Sequence, residues 1–127
     1  MKRVVVLVLG AILVAGVSVA LAGEKAAKPV EGTLVDSKCF LAGGDKGNDH
    51  MGMKNCGSEC AKSGSPLGVL TSAGKYYTLA APSPQLADYV GQTVRATGTI
   101  KSGTILADKV EVKKGDKWEE VKFDSAM

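Results

Sequence analysis

The chain lacks the patterns that identify several common classes of small protein. It has three cysteines but no Cys-x-x-Cys pair, which excludes a thioredoxin-type dithiol, and no Cys-x-x-Cys-His, which excludes covalently attached haem. The glycine-rich segment 43–48 (GGDKGN) lacks the spacing of a phosphate-binding loop, so no nucleotide site is predicted. No motif for nucleophilic catalysis surrounds any cysteine, and this favours a non-enzymatic role.

The chain also lacks a strong excess of charge. Sixteen basic residues face 13 acidic ones, and without Lys2 and Arg3 the balance is 14 to 13, a net charge of +1. Nucleic-acid binders gain much of their affinity by neutralising phosphates. We therefore expect no nucleic-acid partner, and the sequence identifies no other partner.

The N-terminal segment has the layout of a secretory signal peptide. Lys2 and Arg3 precede the uncharged apolar run 4–19, and Ala-Leu-Ala at 20–22 offers a small-x-small cleavage site. An uncleaved membrane anchor is the alternative, because the run is nearly long enough to span a bilayer. No cysteine follows the run, which excludes a lipoprotein anchor. We expect export to the periplasm or the medium, an oxidising environment.

Residues 23–29 are predicted to be a flexible lead-in, and residues 30–127 a single domain. Alternating apolar residues and turn signals predict strands over 30–36, 67–72, 75–80, 92–100 and 104–112, with a short closing strand at 118–123. Helices are predicted over 56–62, capped by Asn55, and over 83–90, capped by Ser83. The rest of 37–65 is predicted to be a long loop of the kind that often carries function.

This order of elements predicts an all-β, OB-fold-like barrel of five strands. Such barrels carry a helix between the third and fourth strands, as here, and the long loop would join the first two strands. Gly98 suits a strongly bent barrel strand. Another small antiparallel sheet with one helix is the alternative.

Every cysteine and the only histidine lie between residues 39 and 60. Cys39, His50, Cys56 and Cys60 form a Cys3His set, a known combination for tetrahedral zinc. Cys56 and Cys60 would lie one turn apart on one helix face. Such a site would be closed and structural.

Copper is the second metal that this segment suggests. Met51 and Met53 flank the histidine, and thioethers together with thiolates suit Cu(I). Methionine is also a common filler of loops and cores. Asp36 and Asp49 are further candidates, as additional ligands or as groups that orient His50.

A disulfide is the alternative to a metal. Cys39 would bridge to Cys56 or Cys60, stabilise the long loop by about 3 kcal/mol, and leave one thiol free. The protein would then be a ligand- or partner-binding OB module, with Tyr76 and Tyr77 as the candidate ligand face. A thiol-redox protein is a third hypothesis.

Several segments together resemble a group of small exported bacterial OB-fold proteins. They are VEGTLVDSKCFL, the histidine, CGSECAKSGSPLGVL, GKYYTLA, LADYVGQTVRATGTI and ILADKVEV, within residues 30–113. Gly57 stands where the second motif of that group leads us to expect alanine. The resemblance implies the barrel and treats the cysteine–histidine cluster as a unit, and it implies no activity.

Overall fold

The computed structural model describes residues 28–124. The predicted signal peptide, and all of the predicted lead-in except residues 28–29, lie outside this range. The elements are β1 (Val30–Asp36), α1 (Ser37–Gly43), α2 (Cys56–Lys62), β2 (Leu67–Leu70), β3 (Tyr76–Ala80), α3 (Ser83–Leu86), a 3-10 helix (Ala87–Tyr89), β4 (Thr93–Lys101), β5 (Thr104–Lys114) and β6 (Lys117–Val121).

Five of the strands close into a barrel. β1 pairs antiparallel with β2 and with β4, β2 pairs with β3, and β4 pairs with β5. Parallel pairing between β3 and β5 completes the ring, and β6 adds a sixth strand to β5. The predicted OB-fold-like class is thus confirmed, with a helical segment between β3 and β4 as this barrel requires.

Small aliphatic side chains fill the barrel. The largest members of the main core cluster that are at most 1 % exposed are Leu34, Leu67, Val69, Leu86, Val94, Ile105, Val110 and Val112. Along β4 the buried residues alternate as the sequence predicts, with Val94 and Ala96 inside and Thr93 and Arg95 partly exposed. Burial of these side chains is the main stabilising contribution to the barrel.

The pairing of β4 with β5 is irregular at Gly98. The register between β4 and β5 shifts between Thr97 and Gly98. A Cβ at Gly98 would overlap the backbone oxygen of Leu106 on the neighbouring strand. The close approach of the two strands therefore requires glycine here, as predicted for a bent strand.

The helices differ from the predictions in two places. Residues 37–43 were predicted to lie in a loop, but they form α1. The predicted helix 83–90 divides into α3 and the tighter 3-10 helix, and it begins after Pro82, so the prediction of Ser83 as the cap was wrong. Within residues 28–124, no helix is both long enough and apolar enough to cross a membrane.

Candidate metal site

Asp36, the last residue of β1, places the first cysteine. Its Oδ1 accepts a hydrogen bond from the backbone N–H of Cys39 at 2.8 Å and so caps α1. At the other end of this helix, Gly44 adopts the left-handed conformation (φ 79°), and its N–H donates to the carbonyl of Phe40. The sequence carried this information as an aspartate three residues before Cys39 and a Gly-Gly pair at the end of the helix.

The second helix, α2, carries Cys56 and Cys60, and its first turn is capped from a distance. The predicted cap, Asn55, makes no side-chain hydrogen bond to the helix. The Oδ1 of Asn48 instead accepts from the Ser58 N–H at 2.8 Å. The Ser58 hydroxyl donates to the carbonyl of Ala87 at 2.8 Å, which joins α2 to the helical segment beneath it.

These two helices bring the three thiols together. The Sγ atoms of Cys39, Cys56 and Cys60 all lie within 4.8 Å of one another. Each cysteine is partly buried, and all three are free thiols in this structure. Three sulfurs at this spacing can converge on one metal ion with small side-chain movements.

Asp36 contributes a second feature beside the thiols. The side chain is 1 % exposed, and among the described residues its Oδ2 has no hydrogen-bond partner. Burial raises the pKa of Cys39 to about 11, and the negative charge of Asp36 is the next cause. The pKa of the Cys60 thiol is raised for the same two reasons, in the same order. Without a cation, the site therefore disfavours thiolates.

His50 lies next to α2 but outside the three-thiol group. The group whose donor atoms are mutually within 4.8 Å contains only the cysteines. The histidine is 6 % exposed, and neither ring nitrogen has a hydrogen-bond partner among the described residues. A Cβ at Gly57 would lie 3.5 Å from its Nε2 and 2.7 Å from Val90 Cγ1. Glycine at position 57 therefore leaves room for both side chains.

The loop around His50 is a tight turn that displays its methionines. The N–H and carbonyl groups of His50 and Met53 bond to each other in both directions, at 3.2 and 3.0 Å. Met51 and Gly52 form the tip, with φ angles of 54° and 75°. Asp49 does not orient the imidazole, because neither ring nitrogen has a hydrogen-bond partner among the described residues. The Oδ1 of Asp49 accepts the N–H of Asn55 at 2.7 Å.

A cleft of about 760 Å³ opens on one side of the thiols. Cys56 and Cys60 line it, together with Met53. The other lining residues are Lys38, Lys54, Glu59, Ser63, Gly64, Ser65 and Pro66. The three thiols are thus partly buried in the protein, and those of Cys56 and Cys60 are accessible from the cleft.

The two tyrosines proposed as a ligand face make contacts within the protein. The Tyr76 hydroxyl donates to the Ser37 hydroxyl at 2.6 Å, and its ring stacks on Phe40 with centroids 5.2 Å apart. Tyr77 points to the other side of the strand and packs against the core. The Tyr76 contacts connect β3 to α1 and support the position of Cys39.

The fold and site together define an OB-fold-like barrel whose loop between β1 and β2 holds three convergent cysteines. Comparison of the chain with protein-family models, with curated proteins and with solved structures gives no match. The geometry of the site therefore carries the functional inference.

Proposed function

We propose that this protein is an exported metal-binding protein that holds one thiophilic ion through the thiolates of Cys39, Cys56 and Cys60. The observation that carries the proposal is the buried carboxylate of Asp36 beside three convergent thiols, with a carboxylate oxygen that has no partner among the described residues. The N-terminal sequence supports export, and the resemblance to exported OB-fold proteins supports treating the cysteines as a unit.

The electrostatics of the site favour a cation. Burying a carboxylate next to thiolates without a positive charge is unfavourable. A bound metal ion supplies that charge, and it deprotonates the thiols that it coordinates. The raised thiol pKa values show the cost of thiolates in the absence of a cation, which a bound ion would offset.

Zinc would need a fourth donor to complete a tetrahedron. His50 is the proposed donor, in keeping with the Cys3His set that the sequence suggests. Its ring would have to come closer to the three sulfurs, but neither of its nitrogens would lose a hydrogen bond within the described residues. Zinc held by four protein ligands would stabilise the loop rather than catalyse a reaction.

Metal analysis of protein purified from the periplasm tests the proposal. We expect about one ion per chain, lost in Cys60→Ser and retained in Ser72→Ala, a matched exposed substitution in the β2–β3 turn. Loss of zinc in His50→Ala would identify the fourth ligand. Metal-free protein whose stability is unchanged by Cys60→Ser would contradict the proposal.

A thiol count separates the metal from the disulfide alternative. Titration under denaturing, non-reducing conditions with a chelator should find three thiols per chain if a metal holds the site. One thiol per chain would instead indicate a disulfide-held OB module. Anaerobic purification before the titration controls for oxidation during handling.

Asp36→Asn tests the role of the carboxylate directly. The amide oxygen can still accept the Cys39 N–H, so α1 keeps its cap, but the negative charge is lost. We expect weaker metal binding together with lower pKa values of Cys39 and Cys60, measured by the pH dependence of alkylation in metal-free protein. Unchanged affinity would show that the charge does not contribute.

A further inference from the structure

The three-thiol group is open on the side of the cleft that Cys56 and Cys60 line. No histidine, aspartate or glutamate among residues 28–124 completes the group at the spacing that the sulfurs share. Apart from Cys56 and Cys60, the cleft wall contains one further sulfur, that of Met53. The open side therefore offers a thioether.

Met53 is held at this position by its turn. The two backbone hydrogen bonds to His50 fix the turn, and Met51 tolerates a left-handed φ at its tip. Met53 is 52 % exposed, although methionine is usually found as a filler of apolar gaps. Neither packing nor the turn itself requires a thioether at this residue.

We infer that Met53 is a soft ligand at the mouth of the site and that the ion handled there is Cu(I), which enters and leaves through the cleft. The inference rests on the proposed function and specifies its metal. Thiolates and thioethers together select Cu(I), whereas a thioether adds nothing for zinc.

The exchange step involves no electron transfer. A bond forms between Cu(I) and the Met53 thioether while a bond to the delivering ligand breaks, and Cu(I) keeps its charge throughout. Bonds to the thiolates of Cys56 and Cys60 follow, and the thiol protons leave to solvent. Because a thioether carries no proton, the first contact needs no deprotonation.

The test uses exported protein stripped of metal, with Cu(I) supplied anaerobically from a coloured Cu(I) chelator. We expect Met53→Leu to weaken Cu(I) binding about tenfold or more and to leave zinc affinity unchanged. Met51→Leu is the matched control: Met51 is 82 % exposed on the same turn, does not line the cleft, and should leave both affinities unchanged.

Methyl-labelled methionine gives a direct readout of contact. One equivalent of Cu(I) should shift the Met53 methyl resonance, while zinc should leave it in place. If Met53→Leu binds Cu(I) as the parent does and the resonance does not move, the inference is wrong, while loss of metal in Cys60→Ser would still support the proposed function. If Cys60→Ser keeps its metal affinity, the proposed function itself fails.

Discussion

The barrel and the insertion between β1 and β2 are stabilised in different ways. In the barrel, aliphatic side chains such as valine and leucine are buried in a continuous core. In the insertion, residues 37–66, the large apolar side chains of Leu41, Met51 and Met53 are exposed, and Ala61 alone joins the main core. The insertion depends instead on caps and polar contacts such as those of Asn48 and Asp49.

This difference shows where a ligand can contribute most. A barrel with a closed ring of strands gains its stability from buried apolar area and needs no ion. A segment of this length without an apolar core of its own gains much more from a ligand that joins distant residues. The three thiols lie within the insertion, so metal binding should act on it first.

The largest effect should come from disturbing the barrel at Gly98, where β4 and β5 approach each other closely. Gly98→Ala places a Cβ against the Leu106 carbonyl, and the backbone of β5 must move. We expect a loss of about 3 kcal/mol or more in the free energy of unfolding, measured in urea. Gly47→Ala in the insertion is the control, because its Cβ would meet nothing closer than 3.7 Å. Equal stabilities for the two variants would contradict the requirement for glycine at position 98.

Metal should raise the stability of the insertion more than that of the barrel. At a free ion concentration of 100 times Kd, binding should add about 2.7 kcal/mol to the free energy of unfolding. Limited proteolysis with and without metal should show protection concentrated in residues 37–66. Cys60→Ser should remove both effects. Equal protection of barrel and insertion would show that the two regions respond as one unit.

Loss of the Asn48 cap should destabilise the insertion in the metal-free protein. Asn48→Ala removes the acceptor of the Ser58 N–H, and we expect a cost of about 1–2 kcal/mol. Asn48→Asp keeps an oxygen in place and should recover most of the loss. Thermal unfolding of the metal-free proteins measures both, and identical curves for all three would show that the cap is unimportant.

The smallest effect concerns an ion pair on the barrel. Arg95 donates to both carboxylate oxygens of Glu111, at 2.6 and 2.9 Å, and this lowers the pKa of Glu111 to about 2. Because the carboxylate is favoured in the folded state, its contribution is present above pH 4.5, the ordinary pKa, and is lost as pH falls toward 2. Glu111→Gln should reduce the dependence of the free energy of unfolding on pH between these two values. An unchanged dependence would show that other groups cause it.

The barrel was predictable because its signals are local. Alternation in β4 and β5, turn residues at Gly74 and Gly103, and a proline early in the α3 segment each fix one element. Their order then leaves few topologies, of which the OB barrel is one. The predicted strand bounds agree with the observed ones to within about two residues, because the same local signals mark where each strand begins and ends.

The site was predictable as a set of cysteines, but its geometry was not. Spacing indicated that Cys56 and Cys60 share a helix face, and clustering indicated Cys39 as a third sulfur. The cap on α2 comes from Asn48, through a contact that only the folded chain creates. Asp36 was a candidate in the sequence, but its burial beside the thiols rather than beside His50 was not predictable. The burial of the His50 side chain likewise depends on its packing near Gly57, which no local sequence pattern encodes.

The insertion leaves and rejoins the barrel at the same point. Asp36 and Leu67 are paired residues of neighbouring strands, and the Ser37 N–H donates to the carbonyl of Pro66 at 3.0 Å. The barrel thus fixes the two ends as a short hairpin would, whatever the length between them. Doubling such a segment costs only about 0.6 kcal/mol in closure entropy. Changes in the length of the thiol-bearing segment should therefore leave the pairing of β1 with β2 intact, whereas contacts such as that of Ser58 with Ala87 tie α2 to this particular barrel.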